Sequence, residues 1–168
     1  MSAEEWIDVV DEDDHVIGRT TRAQMRRDNI LHRNVAILCL NRERRIYVHR
    51  RTATKDLYPS LYDMFTAGVV GAGESYEQAA LRELEEELGI RGVVPQLLFQ
   101  HRYEGEHSRT HSRVFRVEWD GPIVHQPTEV AWGGFRTRSE LLSNRERFAF
   151  VPDGLELFTR YVAEFPND

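Results

Sequence analysis

The run Val35 to Leu40 (VAILCL) is almost wholly apolar, which suits a central strand buried on both faces. Arg45 to Arg50 returns beside it after the turn Asn41-Arg42-Glu43-Arg44, so the two read as a hairpin. Upstream, Trp6–Val10 and His15–Arg19 read as short strands around the acidic turn 11–14, and Thr21 to Arg27 as a short helix with Thr21 and Gln24 as a capping box. Tyr58-Pro59-Ser60 breaks the chain before a β-rich stretch, Leu61 to Thr66. Val93 to Tyr103 and Val114 to Trp119 read as strands joined by a polar loop, and Glu129 to Phe135 as the last strand. Ser139–Leu142 and Asp153–Phe165 read as helices. Strands and helices intermix, so the fold class is α/β, with a mixed sheet between helices.

One long helix stands apart. Ser75 is its expected N-cap, Gln78 completes a capping box, and Gly89 sits where a left-handed C-cap belongs. Ala80, Leu81, Leu84 and Leu88 form an expected apolar stripe. Glu83, Glu86 and Glu87 share another face, expected to be exposed. Like charges at that spacing repel by about 0.2–0.5 kcal/mol per pair on an isolated helix. A divalent cation would reverse the sign, and oxygen-only ligands favour Mg²⁺, with Mn²⁺ as the alternative. Just upstream, the segment from Ala67 to Gly73 carries three glycines, which lets backbone approach a ligand closely.

The bulk properties narrow the class. The chain has 168 residues, 40% apolar and 10% aromatic, enough for one domain with a sizeable core. We expect a single domain over 1–168, with residues 1–30 as a strand and helix extension packed on it. The N-terminus, Met1 to Glu5, lacks a basic then apolar signal pattern, and no apolar run is long enough to span a bilayer. The single cysteine, Cys39, lies in the apolar run and reads as a buried hydrophobe. A cytoplasmic protein with no membrane partner is expected. The net charge of −6 argues against binding a nucleic acid polymer. Charge is uneven, however: residues 19 to 55 hold eleven basic and two acidic side chains, which would suit a small polyphosphate.

Gly68, Glu74, Arg82, Glu83, Leu84, Glu86, Glu87, Gly89 and Ile90 stand at the spacing G-x5-E-x7-R-E-U-x-E-E-x-G-U, with U apolar. This resembles the Nudix box, the signature of hydrolases that cleave a nucleoside diphosphate linked to another group, and every fixed position matches. At about 7% usage for a common residue, a chance match is on the order of 10⁻⁷. The resemblance implies an α/β/α sandwich carrying a loop and helix, and a pyrophosphohydrolase that uses Mg²⁺ on a small diphosphate-containing substrate. It implies Glu83, Glu86 and Glu87 as metal ligands and catalytic groups, with a backbone carbonyl at Ala67 or Gly68 completing the metal set. Arg82 and Glu74 would orient those glutamates. Such enzymes recruit a further glutamate from a variable loop, and Glu129 is the first choice here, ahead of Glu104 and Glu106.

The layout is also similar to the isopentenyl-diphosphate isomerase branch of these proteins. His32, Arg51, Lys55, Pro59 and Tyr62 fall approximately where that branch places a histidine and an R-x-x-x-K-x-x-x-P-x-x-(W/Y) segment. Arg50, Arg51 and Lys55 are the expected substrate-binding cations. The isomerase needs a cysteine and a histidine where this chain has Ala67 and Val69. Hydrolysis is therefore the expected chemistry, with isomerase-like activity or non-catalytic nucleotide binding as alternatives. Substrate identity, the base and homodimerisation stay open. His107 and His111 are four apart, but Gly105 makes a helical zinc pair improbable there.

Overall fold

The computed structural model describes residues 4–144 and 148–166. Met1, Ser2 and Ala3, part of the N-terminus considered for a signal, lie outside the described residues. Nine strands and four helices follow one another among the described residues: β1 (Trp6–Val10), β2 (Val16–Thr21), α1 (Arg22–Asp28), β3 (His32–Leu40), β4 (Ile46–Arg51), β5 (Tyr62–Asp63), β6 (Thr66–Val69), α2 (Tyr76–Leu88), β7 (Gln96–Glu104), β8 (Arg109–Glu118), β9 (Val130–Arg136), α3 (Arg138–Ser143) and α4 (Pro152–Glu164).

The apolar run becomes β3, the centre of the sheet. It pairs antiparallel with β6 on one side, Asn34 opposite Val69, and parallel with β8 on the other, His32 opposite Thr110. Its alternating side chains then serve two cores. Val35, Ile37 and Cys39 pack with Ala79, Ala80, Leu84 and Leu88 of α2. Ala36, Leu38 and Leu40 pack with Leu157, Phe158 and Tyr161 of α4. This is the expected α/β layering, a mixed sheet with helices on both faces. Burial pushes the Cys39 thiol up to about 12, so it acts as a small apolar side chain.

Helix α2 has both arms of the Ser75–Gln78 capping box, and Gly89 closes it at φ 67°. Thr21 caps α1 from one side only, accepting from Gln24 N–H. Three expectations change. The stretch from Leu61 splits into β5 on β4 and β6 on β3, because Met64 and Phe65 turn into the α4-side core. The glycine-rich segment therefore begins as strand. The polar loop after Tyr103 shrinks to a tight turn closed by Gly105 N–H to Ser108 O at 2.8 Å. Strand β8 starts earlier than expected because its buried positions there are the polar Thr110 and Ser112, which bond each other at 3.0 Å. Finally, Leu81 is 41% exposed, at the edge of the arc that Tyr76, Ala79, Ala80, Leu84 and Leu88 bury.

No helix among the described residues is long and apolar enough to cross a membrane.

Candidate active site

The glutamate face of α2 lies against the start of the glycine-rich segment. A Cβ on Gly68 would stand 2.0 Å from Glu83 Cδ and Oε1, so the glycine leaves that carboxylate the room it occupies. Glu83 and Glu87 are buried, at 6% and 4% exposure, and Glu86 alone of the three is exposed. The expectation that all three lie on an exposed face is thus corrected for Glu83 and Glu87. The chain from Gln126 to Glu129 covers Glu87, with Gln126 N–H donating to the Glu87 carbonyl at 3.1 Å.

Arg82 is the hub of this arrangement. Nε donates to Glu74 Oε1 at 2.9 Å, and Nη2 to Glu74 Oε2 at 3.0 Å and to the Val69 carbonyl at 3.1 Å. Nη1 bonds Glu83 and reaches Glu86 Oε2 at 3.4 Å. Glu74 also accepts from Gly71 N–H at 2.8 Å. Burial works against the Glu74 carboxylate, but the bonds from Arg82 and Gly71 outweigh it and hold it below the usual range. Burial pushes Glu83 up, with Arg82 opposing. Glu87 is also pushed up, by burial and then by Glu83, against the pull of Lys55.

The other wall comes from β4 and β9. These strands pair with a bulge at Arg50/Arg51, and Thr52 N–H donates to the Glu129 carbonyl at 3.1 Å. Glu129 is thereby carried beside Lys55, which pairs with it and lies 3.9 Å from Glu87 Oε1. Burial pushes the Lys55 ammonium down, while Glu87 pulls it back up. Arg51 lines the same cleft and donates to the Leu57 carbonyl at 3.0 Å.

The structure thus gathers Gly68, Glu83, Glu86, Glu87, Arg51, Lys55 and Glu129 around one cleft of about 100 Å³. Arg50 is not part of it: its guanidinium bonds the Ser60 carbonyl and sits over the Tyr62 ring. Glu104 is held by Arg109 on the β7–β8 hairpin, outside the cleft. His111 bonds the Asp11 carbonyl, and His32 bonds the Ile30 carbonyl at the entry to β3. Arg22 and Arg26, not singled out within the basic stretch 19–55, and Asp63 and Asp153, which sequence reasoning missed, also line the cleft. Asp63 had a signal, an acid inside an otherwise β-rich run; Asp153 had none.

The residues suit a divalent cation. Glu87 Oε2 is buried without a hydrogen-bond partner, and a buried carboxylate oxygen in that state calls for a positive charge. Glu83 meets the backbone at Gly68. Among the described residues the one tight grouping of three His/Asp/Glu ligand atoms is elsewhere, at Asp11, Asp13 and His15 in the β1–β2 turn. There Asp11 Oδ1 already accepts from the Asp13 and His15 N–H groups, an ordinary turn. Arg82 and Lys55 hold the cleft glutamates instead.

The sequence model of the family described as NUDIX domain matches residues 30–153. An uncharacterised Nudix hydrolase of Streptomyces coelicolor, SCO1686, is 47% identical over 164 residues, covering 96% of this chain and 91% of that one. The uncharacterised Nudix hydrolase YfcD of Salmonella typhi is 36% identical, covering 96% and 87%. Among solved structures, DR0079 of Deinococcus radiodurans superposes with a TM-score of 0.80 at 27% identity, covering 93% and 98%. The NUDIX domain of Shewanella oneidensis NrtR, solved with ADP ribose, has the same fold with a TM-score of 0.60 at 12% identity, covering 86% and 99%. With an intact signature folded around one cleft and a family match over most of its length, the chain belongs to the Nudix hydrolases.

Proposed function

We propose that this Nudix hydrolase cleaves a phosphoanhydride bond in a small diphosphate-containing substrate, with Mg²⁺ or Mn²⁺ as its cofactor. The observation that carries the reading is the unpartnered buried oxygen of Glu87 beside Glu83, whose carboxylate occupies the space left by Gly68. Glu83, Glu86 and Glu87, with the backbone carbonyl at Ala67 or Gly68, would hold the ion. When bound, such an ion neutralises the diphosphate and lowers the pKa of a bound water. Arg82 and Glu74 keep Glu83 in place, which supplies preorganisation. Glu129 is the candidate base, able to take a proton from the attacking water. Lys55, now paired with Glu129, and Arg51 present positive charge to the phosphates. The acidic composition and single cysteine suit a cytoplasmic enzyme.

The test is a hydrolysis screen over nucleoside di- and triphosphates, nucleotide sugars, dinucleotides and prenyl diphosphates, with Mg²⁺ and with EDTA. ADP-ribose heads the set because the NrtR domain binds it. Metal-dependent release of phosphate or a nucleoside monophosphate is expected, and turnover of none of these compounds would refute the proposal.

A further inference from the structure

Two chambers meet beneath α1. The inner one is the cleft of about 100 Å³ that holds the glutamates, with room for about three waters. The outer one is about 530 Å³, a size that takes a small ligand. Arg22, Arg26 and Leu57 line both, so they stand between the two. Asn29, at the C-terminal end of α1, donates to the Gly105 and Glu106 carbonyls at 3.0 and 3.1 Å and so fastens the outer wall.

Arg26 is the unexplained group. Its Nε is buried and has no hydrogen-bond partner among the described residues. Burial pushes the guanidinium down to about 10, and Arg22 nearby adds to that, so it still carries its charge at neutral pH. Asp56 and Asp153 attract it without bonding it, and Asp56 is engaged by Arg22 at 3.5 Å. A half-buried guanidinium whose Nε–H is buried without an acceptor is costly until an anion meets it.

We propose that Arg26, with Arg22, forms an anion subsite at the boundary of the two chambers: it grips the substrate phosphate remote from the metal-binding glutamates, and the outer chamber receives the group attached to that phosphate. That chamber is lined by Arg27, Asn29, Asp56, Glu106 and His107 beside Ala23 and Leu57, so polar groups and apolar surface both face it. A sugar or nucleoside offers hydroxyls to those side chains and an apolar ring face to the rest of the wall, whereas a prenyl tail leaves the polar side chains without partners. Helix α1 precedes residues 30–153, so the subsite comes from a segment outside the family match. This inference rests on the proposed function for the identity of the inner site, but its test does not depend on turnover.

The test is calorimetric titration of the metal-free protein, in EDTA, with inorganic pyrophosphate. Arg26→Gln keeps most of the volume and removes the charge; Arg42→Ala, at the exposed β3–β4 turn, is the control. Losing one charge-assisted contact should weaken pyrophosphate about tenfold in Arg26→Gln and leave Arg42→Ala unchanged. Arg26→Lys, which keeps the charge, should recover part of the loss and guards against a folding artefact. A loss under threefold in Arg26→Gln, or no binding by the wild-type protein at millimolar pyrophosphate, overturns the subsite. ADP-ribose should bind more tightly than isopentenyl diphosphate, and the reverse order overturns the assignment of the outer chamber. A failed hydrolysis screen with pyrophosphate binding intact would sink the proposed activity and leave the subsite standing.

Discussion

Gly68→Ala separates a role in folding from a role at the site. The new Cβ would stand 2.0 Å from Glu83 Cδ and Oε1 and 2.6 Å from Oε2, where ordinary contact begins at 3.4 Å. The backbone at Gly68 is locked into the β3–β6 ladder opposite Val35, so the carboxylate must give way. It must retreat by about 1.4 Å, pulling on its bond to Arg82. A shift of about 1 Å in a positioned group can cost about 100-fold in rate. Because the displaced atoms are the end of a flexible side chain, the fold should lose little, within about 1 kcal/mol. The assay pairs two readouts: kcat on whichever substrate the screen identifies, and Mn²⁺ binding by electron paramagnetic resonance, which needs no substrate. Thermal melting reports the fold. Gly18→Ala, whose Cβ would meet nothing within 4 Å, is the control and should be silent. Activity and Mn²⁺ affinity both within threefold of wild type in Gly68→Ala would refute the placement of Glu83 at the metal.

Glu83→Gln and Glu87→Gln should each lower kcat by about 100-fold or more at saturating Mg²⁺, since each neutralises a buried carboxylate in the cleft. Losses of tenfold or less in both would sink the assigned roles. The protein should gain thermal stability across millimolar Mg²⁺ by linkage, and an unchanged Tm would speak against a preformed site. Asp63 gives a pH signature: burial, and then Asp153, pushes its carboxyl up to about 7 from the 3.8 of an ordinary aspartate. The native state therefore holds an extra proton between about pH 4 and 7, and stability falls as pH rises through that window, by up to about 1.4 kcal/mol per pH unit. Asp63→Asn should flatten that slope in urea titrations with EDTA, and curves parallel to wild type would contradict it. Lastly, Ala67 has no thiol and Val69 no imidazole, so the protein should not place solvent deuterium into isopentenyl or dimethylallyl diphosphate. Incorporation seen by NMR and abolished in Glu87→Gln would reverse the choice of hydrolysis over isomerisation.

Local rules alone determined a good deal here. The six apolar residues from Val35 are enough to read a doubly buried strand, because the run is too short for a buried helix, holds β-branched Val35 and Ile37, and ends at the turn from Asn41. The caps of α2 are legible for the same reason: Ser75, Gln78 and Gly89 act within a turn of their own positions. The Thr137–Glu140 capping box of α3 obeyed the same rule and went unread, although both arms form. The glutamate spacing placed Glu83, Glu86 and Glu87 on one side of a helix. Whether that side faced water was not a local matter. It depended on β6 and the 126–129 segment closing over Glu83 and Glu87, which the helical period cannot report. The same holds for Arg50 and Arg51, adjacent in sequence: pleating sends neighbours to opposite faces, and only the sheet says which face carries the cleft. Arg26, Asp63 and Asp153 come from α1, β5 and α4, elements far apart along the chain. Burial and charge belong to the space between elements, so only the tertiary structure could bring these groups to the glutamates and leave the Arg26 Nε–H there without an acceptor among the described residues.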